Sequence, residues 1–132
     1  MMLIDTNVFL EVFLNQERAD EASRLLQRVD TGGVTAYVTD FAIHSVAFTL
    51  DRRGQRNALP TWLAYLANTA NLDLVRASLQ EQVHIAELAL QTGLDFDDAY
   101  QVYFARLLGV PIVSYDRDFD GVVERKTPSE VV

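Results

Sequence analysis

The chain has 132 residues, 49% of them apolar, and carries 19 acidic against 11 basic side chains for a net charge of −8. That length suits one domain over 1–132 with a real core, and the absence of cysteine excludes disulfides, thiolate zinc sites and cysteine nucleophiles. The charge excludes a wholly cationic surface for nucleic acid, but not an enzyme that meets nucleic acid through bound cations.

Met1-Met2-Leu3-Ile4 reads as a strand buried on both faces, closed by Asp5. The opening has neither a basic region nor a long apolar stretch, so no secretory signal is expected. No run of about 20 apolar residues is present to span a bilayer, and the expected location is the cytoplasm. Helices are expected over Asn7 to Leu14 and Glu17 to Val29, the second with Ala19, Ala22, Leu25, Leu26 and Val29 at helical spacing. Thr31-Gly32-Gly33 ends it, and Val34 to Val38 follows as a short strand. Thr39 or Asp40 can cap a helix over Phe41 to Arg52, which Gly54 terminates. Ala58 to Ala70 reads as helical, with Pro60 tolerated in its first turn. Leu72 to Val75 is a strand, and Ser78-Leu79-Gln80-Glu81 is a capping box opening a helix that runs to Gln91. Asp95 caps a last long helix, stopped by Gly109. Val110 to Tyr115 is an apolar strand closed by Asp116, and Glu124 to Thr127 suits an edge strand. This alternation implies an α/β fold: a three-layer α/β/α sandwich around a central, mostly parallel sheet.

In such a sheet the strand ends share one edge, so Asp5 and Asp116 converge there. The helix starting at Asp95 runs back to the beginning of the last apolar strand, so its N-terminus with Asp95, Asp97 and Asp98 lies at the same edge. Asp95 and Asp98 share a helix face while Asp97 points elsewhere. Each acid also has a plain structural reading, as a cap, a first-turn acid favoured by the helix dipole, or a turn residue. Their convergence is what carries weight. Two carboxylates about 4 Å apart repel by about 4 kcal/mol at an effective dielectric near 20, and a hard divalent ion such as Mg2+ or Mn2+ relieves that with oxygen ligands.

Four dispersed segments resemble the PIN-domain family, and within it the VapC-like toxin ribonucleases. Leu3-Ile4-Asp5-Thr6-Asn7-Val8 resembles the opening motif, Phe96-Asp97-Asp98-Ala99 the third, and Ile112-Val113-Ser114-Tyr115-Asp116-Arg117-Asp118-Phe119 the closing one. The resemblance implies Asp5, Asp98 and Asp116 as catalytic metal ligands, with Thr6, Asn7, Ser45, Ser114 and Asp118 in support. It also implies metal-assisted hydrolysis of single-stranded or looped RNA, a homodimer and often a small antitoxin partner.

The second motif departs from the family pattern. In Phe41-Ala42-Ile43-His44-Ser45-Val46, Ser45 stands where a glutamate is expected, leaving the site about one negative charge short. Glu11, Asp40 or Asp118 are candidates to compensate, and His44 reads as a core histidine. Arg52, Arg53 and Arg56 form a cluster that suits either a solvated helix end or phosphate contacts; Arg52, Arg53 and Arg117 are the cations assigned to RNA. Two other classes remain open. One is a PIN domain that binds RNA or protein without cutting. The other is a receiver-type signalling domain, which calls for a lysine after a late strand; Lys126, the only lysine, is poorly placed for that.

Overall fold

The computed structural model describes residues 1–131. Its elements follow in the order β1 (Met2–Ile4), α1 (Thr6–Phe13), α2 (Ala19–Asp30), β2 (Ala36–Thr39), α3 (Asp40–Arg52), α4 (Leu59–Ala67), β3 (Leu72–Val75), α5 (Leu79–Thr92), α6 (Phe96–Leu108), β4 (Ile112–Val113), β5 (Arg125–Lys126) and α7 (Pro128–Val131). Single 3-10 turns stand before α4 and after β4. The five strands are all parallel, in the order β3-β2-β1-β4-β5. This is the three-layer α/β/α sandwich the alternation implies.

Side chains alternate across a strand, and β1 shows the consequence. Met2 and Ile4 enter one apolar layer with Val8, Phe9, Leu25, Leu26, Val46 and Leu50. Leu3 enters the other, with Ile85, Val102, Phe104, Ile112 and Phe119. Each fully buried Leu, Ile or Phe contributes about 1.5–3 kcal/mol, and both faces are filled. That is why β1 reads as an unbroken apolar run. Among the described residues no helix is long and apolar enough to cross a membrane.

Local chemistry sets the boundaries. The Thr39 hydroxyl accepts the Ala42 N–H at 3.0 Å, so Thr39 rather than Asp40 caps α3. The capping box at Ser78 and Glu81 forms as expected. Gly109, with φ of 67°, takes the left-handed conformation that lets α6 turn into β4. The paired part of β4 is shorter than the apolar run Val110 to Tyr115. Pro111 has no N–H to give, and the Tyr115 N–H leaves the ladder for the Asn7 side chain at 3.3 Å. The strand ends where the site begins. Likewise β2 starts two residues later than expected and α4 ends three residues earlier.

Candidate metal centre

The chain builds β1, β2 and β3 outward in one direction, then returns to place β4 on the other side of β1. The order of strand addition therefore reverses between β1 and β4, and open α/β sheets bind ligands in the crevice outside the carboxyl ends at that point. Asp5 leaves β1 there, and Ser114 and Asp116 follow β4. The order also differs from the 2-1-3-4-5 arrangement of receiver-like sheets, which removes that reading.

Asp5 is 7% exposed, and both its oxygens are engaged. Ser114 Oγ donates to Oδ2 at 2.7 Å, and Gln101 Nε2 donates to Oδ1 at 3.0 Å. Gln101 is held in turn by the Thr39 hydroxyl, which donates to its Oε1 at 2.6 Å. Ser114 Oγ accepts from Asn7 Nδ2 and from the Asp116 N–H, each at 3.0 Å. Ser114 and Gln101 hold the carboxylate directly, and Asn7 of α1, Thr39 of β2 and the Asp116 N–H hold those two in place. Burial pushes the Asp5 pKa up; bonds from Gln101, Ser114 and the Thr6 backbone pull it down, and the charge of Asp116 raises it again. The net direction is upward.

Asp98, Asp116 and Asp118 form an acidic group, each offering an oxygen within 4.8 Å of the others; Asp5, expected to share the ion with Asp98 and Asp116, stands outside it. Asp98 comes from the first turn of α6, and Asp116 opens the 3-10 turn, its Oδ1 accepting the Asp118 N–H at 2.9 Å. Desolvation first, then the charges of Asp97, Asp116, Asp5 and Asp118, push the Asp98 pKa to about 7. The shift reflects a carboxyl group that is drawn away from water and set among other acids. The donor set fits a hard divalent ion: all oxygen, three carboxylates, with no soft ligand present.

The remaining assigned residues fall around this group. A cleft of about 310 Å³ is lined by Asp5, Thr6, Asn7, Ser45, Asp97 and Asp98, with Gln101 and Thr49. Asp97 is exposed yet borders this cleft beside Asp98, where the helical spacing had pointed it elsewhere. Asp95 occupies the N-cap position of α6 without a side-chain capping bond. Of the three acids considered as compensation, Glu11 accepts the Arg18 N–H and Asp40 accepts the Phe41 N–H and the Tyr100 hydroxyl. Only Asp118 joins the acidic group. His44 is exposed rather than in the core, because its position on α3 turns away from both layers. Arg52, Arg53 and Arg117 are all exposed, while Arg56 is paired with Asp51. Gln101 and Thr39 have no place in the sequence motifs. The available signal was a polar residue three positions after Asp98, on a helix face otherwise filled with apolar side chains.

Comparison with known proteins follows the same lines. The sequence matches the PIN domain family over residues 2–124. No curated protein sequence matches the chain. A toxin-antitoxin complex from Klebsiella pneumoniae superposes with a TM-score of 0.71 at 18% identity, covering 97% of this chain and 98% of the other. The Mycobacterium tuberculosis toxin VapC20, described as cleaving the sarcin-ricin loop, gives 0.76 at 17% identity over 90% of this chain and 92% of its own. VapBC2 from Rickettsia felis, bound to a DNA fragment from its promoter, gives 0.72 at 13% identity, covering 96% and 97%.

Proposed function

Starting from the fact that this chain belongs to the PIN-domain family, we propose that it is a metal-dependent endoribonuclease, the toxin of a toxin-antitoxin pair, acting as one domain over 1–132. The observation that carries this is the grouping of Asp98, Asp116 and Asp118 within 4.8 Å beside the buried Asp5. Such a group repels phosphate until a cation is bound. A bound Mg2+ or Mn2+ supplies Lewis-acid polarisation of the scissile phosphate and lowers the pKa of a water beside it.

The chain's own residues then have distinct tasks. Asp98, Asp116 and Asp118 would hold the ion, with Asp5 in reserve on the β1 side. Ser114, Asn7 and Thr6 orient Asp5 and the turn after β4. Ser45 lines the cleft as a neutral hydroxyl able to hold water. The reading of a binding module that does not cut rests on Ser45 alone, and Asp118 adds a third carboxylate to Asp98 and Asp116.

Loop RNA is the proposed substrate class, in keeping with the described activity of the mycobacterial relative. Arg52, Arg53 and Arg117 are the cations proposed to meet its backbone. The toxin-antitoxin complexes among the structural neighbours support a small antitoxin as partner, and a homodimer in the cytoplasm completes the proposal. Incubating wild type with a hairpin RNA in Mg2+ or Mn2+ tests the reading. Cleavage abolished by chelator, by Asp5→Asn and by Asp98→Asn supports it; full activity in both variants refutes it.

A further inference from the structure

Phe48, on the exposed side of α3, is 58% exposed, against 40% for Tyr65 and 38% for Phe96. A single exposed apolar side chain is ordinary and carries nothing alone. Its surroundings are not ordinary. The Arg52 guanidinium, one turn further along α3, lies over the Phe48 ring at 5.5 Å from its centroid. On the same helix, Ser45 and Thr49 line the acidic cleft, so Phe48 flanks the cleft within about one helical turn, 5.4 Å of rise. Among the described residues Arg52 and Arg53, like most arginines of the chain, form no ion pair, whereas their neighbour Arg56 is tied to Asp51.

A strand whose phosphate lies in the cleft must leave over one of its walls. The wall at the start of α6 carries Asp97 and Asp98 and repels a backbone; the α3 wall is formed by Phe41, Ser45 and Thr49, with Phe48 and Arg52 on the same helix just outside it. We propose that Phe48 and Arg52 form a subsite for one unpaired nucleotide of the RNA, the base stacking on the Phe48 ring and the adjoining phosphate meeting the Arg52 guanidinium. Aromatic rings take bases of any identity, and only an unstacked base offers its face. A duplex does not fit. The subsite rests on the proposal that the cleft receives RNA, and it extends that proposal to how the strand is held.

The test compares wild type with Phe48→Ala, Phe48→Leu and Phe48→Trp, with thermal melts checking that each is folded. In one arm, hairpin RNA cleavage is measured in Mn2+; in the other, fluorescein-labelled 12-nucleotide oligouridylate binding is read by anisotropy in Ca2+. Phe48→Ala and Phe48→Leu are expected to raise KM and the dissociation constant about tenfold with kcat held within about twofold, and Phe48→Trp to restore wild-type values. An 18-base-pair RNA duplex should bind all four proteins alike. Wild-type binding by Phe48→Ala, or rescue by Phe48→Leu as full as by Phe48→Trp, overturns the subsite. So does loss of binding to a protein encoded beside the gene with RNA binding untouched, since Phe48 then docks a protein. If wild type fails to cleave but binds oligouridylate in an aromatic-dependent manner, the nuclease reading falls and the subsite stands.

Discussion

Replacing Asp98 by Asn removes a carboxyl group held at a cost. Its folded pKa is about 7 against an ordinary 3.8, so between those values the native state binds a proton that the unfolded chain has released. Stability contributed by that proton is therefore present at low pH and lost as pH rises through the window. Taken at face value, the rise corresponds to about 4 kcal/mol. Asp98 is partly open to solvent, and screening reduces this to about 1–2 kcal/mol. At about 3–5 °C per kcal/mol for a domain of this size, metal-free Asp98→Asn should melt about 3–10 °C above wild type at pH 8. The advantage should shrink towards pH 4. Circular-dichroism melts in chelator across that range measure it. Saturating Mn2+ should reverse the order, because an ion at a hundredfold its dissociation constant stabilises the binding-competent protein by about 2.7 kcal/mol. A stability difference that does not change with pH, or a variant less stable than wild type at pH 8 without metal, would refute the desolvation and crowding of charge around Asp98.

Three further outcomes follow from the same geometry. Gln101→Leu leaves Asp5 Oδ1 and the Thr39 hydroxyl buried without this partner, and each orphaned group costs about 1–3 kcal/mol. Its melting point should fall by at least about 5 °C, with weaker Mn2+ binding by calorimetry; an unchanged melting point contradicts the network. Ser45→Glu should alter RNA cleavage by less than about tenfold, or 1.4 kcal/mol, because Asp118 already completes the acidic group, and a hundredfold gain would show that it does not. Asp118→Asn should weaken Mn2+ binding by about tenfold or more, measured by the same titration.

Much of this molecule is legible in its sequence because burial writes directly into residue type. The unbroken apolar run of β1 and the helical spacing in α2 both report layers packed on either side of a parallel sheet. Asp98 and Asp116 come together, and Asp5 lines the same cleft as Asp98, because parallel topology puts strand ends and the N-terminus of the returning helix at one edge. What the sequence does not carry is orientation within that edge. Gln101 lies 96 residues from Asp5 and 62 from Thr39, and no spacing rule links a helix glutamine to a strand-end threonine. Asp118 stands nearer to Asp98 and Asp116 than its position in a turn suggests, because the Asp118 N–H bonds back to Asp116 and tightens the turn. The early end of β4 has the same origin: Asn7 takes the Tyr115 N–H from the ladder.

A divalent ion at the acidic group is the claim on which the proposed chemistry turns, and crystals soaked in Mn2+ address it without reference to activity. Anomalous scattering should show a peak among the carboxylates of Asp98, Asp116 and Asp118, within reach of Asp5, that disappears in Asp98→Asn. Manganese bound only elsewhere on the protein, or none at saturating concentration, would contradict it.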